Sequence, residues 1–434
     1  MKARRSDKGP RAEPGRRGWL RGLVTLLALA VLGGGTFLWG VANGAVNGQA
    51  PRTGATTPEA VATATSKPAP KAKPYVPKSC DAGGRKPPVV TVSQRPALRS
   101  VNIGFEDLTN TQPGHLQALA KHLDDVDANA VQIAVGRLDW LSFIWPGHEE
   151  LSSIDAVAVD GRDLVQEALD AFGCDAHGQR RHVTLSVDAL LGRRFTQDPQ
   201  LAGQSVDGKP STLFGSVTAW SKGPLGTEMA QLSGFLAGRY HPDAVNVTEL
   251  MFFSESYGAD DKADYLAVTG RKDWPRTGDG AIDVNDPSIG VWRSAAVEHV
   301  MSRVAVATRP VGVQATMDIN YPLTAGVAGR PDAGQDAVGL LKVTDGLNLW
   351  YYPGMLAGSV PSIEQVDRDL VEQYPGRVSV SLGLWFSGHP GISQEQFVSE
   401  LGRVDRLVQG SVSVTPASMM TDAEWKALRT AWVG

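Results

Sequence analysis

Glu249 closes the run Asp243-Ala-Val-Asn-Val-Thr-Glu249, ahead of Leu250-Met-Phe-Phe253, and is the first residue to examine for chemistry. A short apolar segment ending in a carboxylate has the pattern of a buried parallel strand with a functional tip. Three more strand-like segments end in acids, at Glu106-Asp107, Asp188 and Asp318. Two such groups can cleave a glycosidic bond, standing about 5–5.5 Å apart for retention or about 6.5–9.5 Å apart for inversion. Glu249 suits the proton donor, because burial among neighbours such as Leu250 and Phe252 would raise its pKa. Asp318 and Glu106 are candidates for the second acid. Asp188 is a third, and also a substrate contact. A substrate acetamido group acting as nucleophile would remove the need for any of them.

Aromatic residues follow the same segments. Of eleven tryptophans, Trp140, Trp145, Trp220, Trp274, Trp350 and Trp385 fall at or just after expected strand ends. Flat rings beside carboxylates suit a carbohydrate, whose C–H faces stack on the rings while polar groups read the hydroxyls. Trp140, Trp274, Trp350, Tyr351, Tyr352 and Trp385 are therefore expected to contact a polysaccharide. The competing role for any single ring is a plug in the core. The eight histidines show no HExxH or similar spacing, so neither a metal nor another cofactor is expected. No nucleic-acid partner is expected either.

The elements that must position these groups alternate regularly. Strands are expected at Ser100–Phe105, Ala130–Val135, His182–Val187, Ala244–Phe252, Val311–Asp318, Gly346–Tyr351, Arg377–Leu384 and Ser411–Val414. Helical patterns lie at Gly114–Asp125, Gly161–Phe172, Gly226–Tyr240, Pro287–Ala307, Gly334–Thr344, Ile363–Gln373, Gln394–Leu407 and Thr421–Trp432. Asp286-Pro287 opens one of them with a capping acid and a proline at the first helical position. This order predicts an α/β fold, a (β/α)₈ TIM barrel over residues 89–434, with its site at the C-terminal strand ends. An open doubly wound sheet is the weaker alternative, since no Gly-rich phosphate loop follows the first strand. Strand side chains alternate, so if Asn246 and Thr248 face the barrel axis, Glu249 faces the helices unless the strand breaks there.

Ahead of the barrel, residues 1–19 form a basic tail with Lys2, Arg4, Arg5, Lys8, Arg11, Arg16 and Arg17. Residues 20–42 are apolar over about 20 residues, enough for a transmembrane segment. Charge before it and little after orients the remainder outward. Arg16-Arg17-Gly-Trp-Leu-Arg21 resembles a twin-arginine export signal, and Gly48-Gln49-Ala50 would serve as a cleavage site. Both a single-pass membrane anchor and a cleaved signal stay open, and each puts the barrel outside the cytoplasm. Residues 43–88, rich in Pro, Ala, Thr and Lys, read as a disordered spacer. The only two cysteines, Cys80 and Cys174, lie on the exported side, where an oxidising compartment permits a bridge.

The stretch Tyr265-Leu-Ala-Val-Thr269-Gly270-Arg-Lys-Asp-Trp274-Pro275, followed by Asp286, Trp292-Arg293, Val297, Val300 and Val304, carries a resemblance. It is similar to a bacterial family of TIM-barrel glycosyl-hydrolase-like proteins, themselves akin to the C-terminal glycosidase domain of poly-N-acetylglucosamine deacetylases. The resemblance implies an exported glycoside hydrolase of the cell envelope or extracellular space. That family's fourth strand reads Asp-Gly-Ile-His-Leu-Asp-Asp-Ile-Arg-Tyr. Aligned on Asp243, this chain has Ala244, Asn246, Thr248, Glu249 and Met251 at the Gly, His, first Asp, second Asp and Arg places. Only Glu249 keeps an acid. A catalytically silent glycan-binding protein on the same barrel is therefore the alternative.

Overall fold

The structure, a computed structural model, describes Cys80 and residues 97–322, 327–356, 363, 370–385, 391–407 and 411–434. The basic tail, the apolar span and all of the spacer but Cys80 lie outside the described residues, as does most of the helix expected over Ile363–Gln373. Among the described residues no helix is long and apolar enough to cross a membrane.

Eight strands run parallel: β1 Arg99–Ile103, β2 Ala130–Arg137, β3 His182–Asp188, β4 Ala244–Thr248, β5 Gln314–Asn320, β6 Gly346–Tyr351, β7 Val378–Gly383 and β8 Val412–Thr415. Each pairs with the next, and β1 pairs with both β2 and β8, so the sheet closes into a barrel. The longer helices are α1 His115–Asp125, α2 Leu164–Phe172, α3 Pro224–Tyr240, α4 Ala259–Thr269, α5 Pro287–Thr308, α6 Ala337–Val343, α7 Gln394–Leu407 and α8 Asp422–Trp432. Of these, α4 belongs to the long connection between β4 and β5. The expected α/β barrel is present.

Local chemistry sets the boundaries. The Asp286 side chain accepts from the Ser288 amide with Pro287 next to it, and Thr421 and Glu424 cap α8 reciprocally. Each such cap contributes about 1 kcal/mol. Strand β5 starts later than expected, because Arg309–Val311 is a 3₁₀ turn closed by Gly312 at a φ of 80°. Strand β4 stops at Thr248, short of the expected Phe252.

Alternation divides the barrel into two chemistries. Val101, Ile103, Val245, Val247, Met317 and Leu349 are fully buried in the layer between strands and helices. Burial of each such side chain is worth about 1.5–3 kcal/mol. The positions facing the axis are instead polar or small, among them Gln132, Thr184, Asn246, Thr316, Asn348 and Ser379. One irregularity matters for the site. Strand β2 carries a bulge between Ala134 and Gly136, so that Arg137 pairs with Asp188 of β3. Gly136 sits at a φ of 147°, and a Cβ there would lie 2.5 Å from the Trp140 carbonyl oxygen. Cys80 and Cys174 form a disulfide with Cα atoms 5.6 Å apart, joining the spacer to the segment after α2.

Candidate active site

Strand β4 delivers Asn246 and Thr248 to the barrel axis, so regular alternation would send the next residue toward the helices. Glu249 breaks the alternation with a φ of 60°. That left-handed conformation is uncommon for a residue with a side chain and costs about 1–3 kcal/mol unless its surroundings enforce it. The following residues supply the enforcement. The Leu250 carbonyl accepts from Gln335 Nε2 at 3.1 Å, and the Phe252 amide donates to the Ala333 carbonyl at 2.8 Å. Glu249 is thereby turned over the mouth, partly buried, within the fields of Asp188, Arg137 and Asp318.

Asp188, the last residue of β3, is almost wholly buried and is gripped on both oxygens. Arg137 donates Nε and one terminal nitrogen to Oδ2 at 3.1 and 3.0 Å, and the Leu190 amide donates to Oδ1 at 2.7 Å. Burial raises its pKa, with Arg137 and the Leu190 amide pulling the other way. Asp318 of β5 accepts from Asn348 Nδ2 at 3.0 Å and from Gln132 Nε2 at 3.4 Å. Thr248, Asn246 and Trp350 also bond its carboxylate, yet burial outweighs these donors and raises its pKa. Glu249 itself is pushed up to about 8, first by burial and then by Asp188, with Asp318 adding and Arg137 opposing. It therefore holds its proton at neutral pH, as a general acid must.

An aromatic wall adjoins the acids. The Trp350 and Tyr352 rings stack at 5.7 Å between centroids, and Trp385 lies 5.2 Å from Tyr352. Burial, then the charges of Glu249 and Asp318, hold the Tyr352 phenol well above its ordinary pKa. Gly383 makes room for this ring, since a Cβ there would meet Tyr352 Cδ1 at 1.9 Å.

The structure brings Glu249, Asp188, Asp318, Trp350, Tyr352 and Trp385 together, and the other residues near strand ends have different surroundings. Glu106 is exposed and interacts with Ser418 and with Asp107, whose pKa is raised to about 6 by burial and then by Glu106. Tyr351 points outward, as its place in the alternation requires, and its hydroxyl donates to Glu400 at 2.9 Å. Trp274 is buried in a cluster with Tyr257, Tyr265 and Trp292 around α4. Trp220 and Trp145 are also core residues, the latter stacked on His148. Trp140 is partly exposed, edge-on to Phe105 at 4.8 Å. Asp139 is buried, accepts from the Arg193 and Arg194 amides, and has its pKa raised by burial.

Sequence reasoning gave no role to Arg137 or to the amides of Gln132, Asn246 and Asn348. An alternating polar residue inside an otherwise apolar strand, as at Asn246 and Asn348, was the available signal. Among the described residues no group of three or more His, Cys, Asp or Glu could hold a metal ion.

A closed barrel of eight parallel strands has the TIM-barrel architecture. In particular, the chain is similar in structure to the glycoside hydrolase domain of PgaB (BpsB) from Bordetella bronchiseptica. That likeness has a TM-score of 0.52 at 14% identity, over 78% of this chain and 99% of that one. It is also similar to the catalytic domain of β-amylase from Paenibacillus polymyxa, with a TM-score of 0.51 at 10% identity over 77% and 97%. A β-galactosidase from the psychrophilic Marinomonas ef1 matches with a TM-score of 0.51 at 12% identity over 77% and 59%. At these identities the likeness is one of fold. No family model and no curated protein sequence matches the chain.

Proposed function

We propose that this protein is an extracytoplasmic glycoside hydrolase acting on a cell-envelope or extracellular polysaccharide, with Glu249 as proton donor. The observation that carries this reading is the left-handed turn at Glu249, which sets a protonated carboxyl over the mouth beside Trp350, Tyr352 and Trp385. Glu249 protonates the leaving oxygen, and the rings hold a sugar against it. Asp188 and Asp318 beneath it keep that proton in place by like-charge repulsion. Placement outside the cytoplasm rests on the basic tail and apolar span of residues 1–42.

The test is a screen of the barrel domain against bacterial and plant polysaccharides for new reducing ends. An active glycan should give a kcat/KM that falls as pH rises through about 8, where Glu249 loses its proton. An alkaline limb elsewhere that is unmoved by Glu249→Gln would remove Glu249 from the role.

A second reading has its own observation. Asp188 and Asp318 are only 3% and 2% exposed, and donors occupy both oxygens of each. With neither Asp188 nor Asp318 open to a substrate at Glu249, the same mouth fits a protein that binds a glycan without cleaving it. Binding in the screen without reducing ends would select that reading.

A further inference from the structure

The axis-facing positions at the opposite end of the barrel leave an opening that the site does not use. TIM barrels ordinarily fill this space with layers of bulky branched side chains. Here the lower layers present Ser100, Thr184, Thr316, Ser379 and Ser413, which are too short to meet across the axis. A cavity of about 120 Å³ remains, lined from the first turns of all eight strands. Ser413 Oγ faces it 6% exposed and without a hydrogen-bond partner among the described residues, and one layer higher Asn102 Oδ1 is in the same condition. Buried polar atoms left in this state cost about 1–3 kcal/mol each unless water reaches them. A water needs only about 10–15 Å³ of such space, so several fit.

The roof of the cavity gives it a purpose. Gln132, Asn246 and Asn348 line it, and the same three side chains bond the Asp318 carboxylate above. Thr316 Oγ1 donates to Asn246 Oδ1 at 3.1 Å, tying the roof to the wall. Waters below would complete the hydrogen bonding of these amides and polarise them toward Asp318.

We propose that the lower half of the barrel is a built water-binding site, whose bound waters link solvent at the barrel floor to the amide layer that holds Asp318. The occupant is water or a neutral polar molecule of similar size, because the lining is mainly hydroxyls and amides and its charged members are engaged elsewhere, Asp345 by Arg309 and the Ala315 amide and Arg377 by the Leu341 and Thr344 carbonyls. The consequence is that the amide layer beneath Asp318 stays hydrated even when a ligand covers the mouth.

Two measurements on the free protein test this, independently of any catalytic activity. Water magnetic relaxation dispersion on the wild type should show long-lived internal waters, and a Thr184→Val, Ser379→Val, Ser413→Val variant should lose several of them. Thr184→Val alone, nearly isosteric, serves if the triple variant fails to fold. In carbon-13 NMR of labelled aspartate, the Asp318 carboxyl should titrate at higher pH in the variant, by about one pH unit, as desolvation requires. Uptake of xenon by the wild-type cavity would mean a dry site and overturn the proposal. So would loss of the waters with no movement of the Asp318 titration, because the cavity would then be hydrated but disconnected from the carboxylate.

Discussion

Glu249→Gln separates the two properties that the turn after β4 confers on this residue. The carboxyl titrates at about 8 in the folded protein against a reference of 4.5, with burial and the Asp188 charge as the leading causes. Below about pH 4.5 both folded and unfolded chains hold the proton, and the substitution should change stability little. Between pH 4.5 and 8 the unfolded chain releases the proton while the folded one keeps it, so wild-type stability falls as pH rises. Glutamine does not titrate and escapes that loss. At about 1.4 kcal/mol per pH unit, its advantage should reach at most about 3 kcal/mol at pH 7 and level off near about 5 kcal/mol above pH 8. The backbone cost cancels, since both residues bear the same left-handed φ. Urea denaturation of wild type and variant at pH 4, 7 and 9 reads this directly. On a cleaved glycan, turnover should fall about 10²–10⁴-fold while binding is retained. A stability difference that does not grow with pH would refute the argument, because Glu249 would then not be a desolvated carboxyl beside other acids.

Other substitutions probe the surroundings. Trp385→Ala should weaken glycan affinity by about 0.5–1.5 kcal/mol, roughly 2- to 12-fold in Kd, with little loss of thermal stability. A large fall in Tm with unchanged affinity would mark the ring as a plug. Gly383→Ala places a methyl inside the Tyr352 ring. It should cost about 1–3 kcal/mol in denaturant and weaken glycan binding together, and an effect on neither would show the ring free to move. Cys80→Ser opens a bridge spanning 94 positions, and should cost about 2–5 kcal/mol under oxidising conditions and nothing in the presence of a reductant.

The barrel was legible because its strands are short apolar runs at regular spacing and its helices carry local start signals, as at Asp286-Pro287 and Thr421-Asp422-Ala-Glu424. Places where a single residue departs from its element's rule were harder. Leu250, Met251 and Phe252 look like more strand, and nothing in composition announces that the chain turns left-handed at Glu249. The alternation argument found the conflict and the structure resolves it. Asp188 and Asp318 were legible as strand tips. Glu106 followed the same pattern, but its side chain stays at the rim with Ser418, because a tip position sets height along the barrel and not direction. Trp274 was misplaced because the connection after β4 builds a small core of its own from Tyr257, Tyr265 and Trp292. Tyr351 and Tyr352 are sequence neighbours with opposite fates, one under α7 and one over the acids.

The extra residue in β2 bears on how this chain compares with distant relatives. Gln132 and Arg137 both face the axis although they stand five positions apart, an odd count that a regular strand forbids. A barrel lacking the bulge would bring the same two groups inward four positions apart. Any column-by-column comparison without a gap would then set Arg137 against an outward apolar residue, and a shared guanidinium would go unseen. The same arithmetic applies at Glu249, where an acid occupies an outward number but an inward place. Two of the groups that define this mouth are therefore out of step with their strands. Their counterparts elsewhere are better sought by superposing side-chain positions than by matching letters.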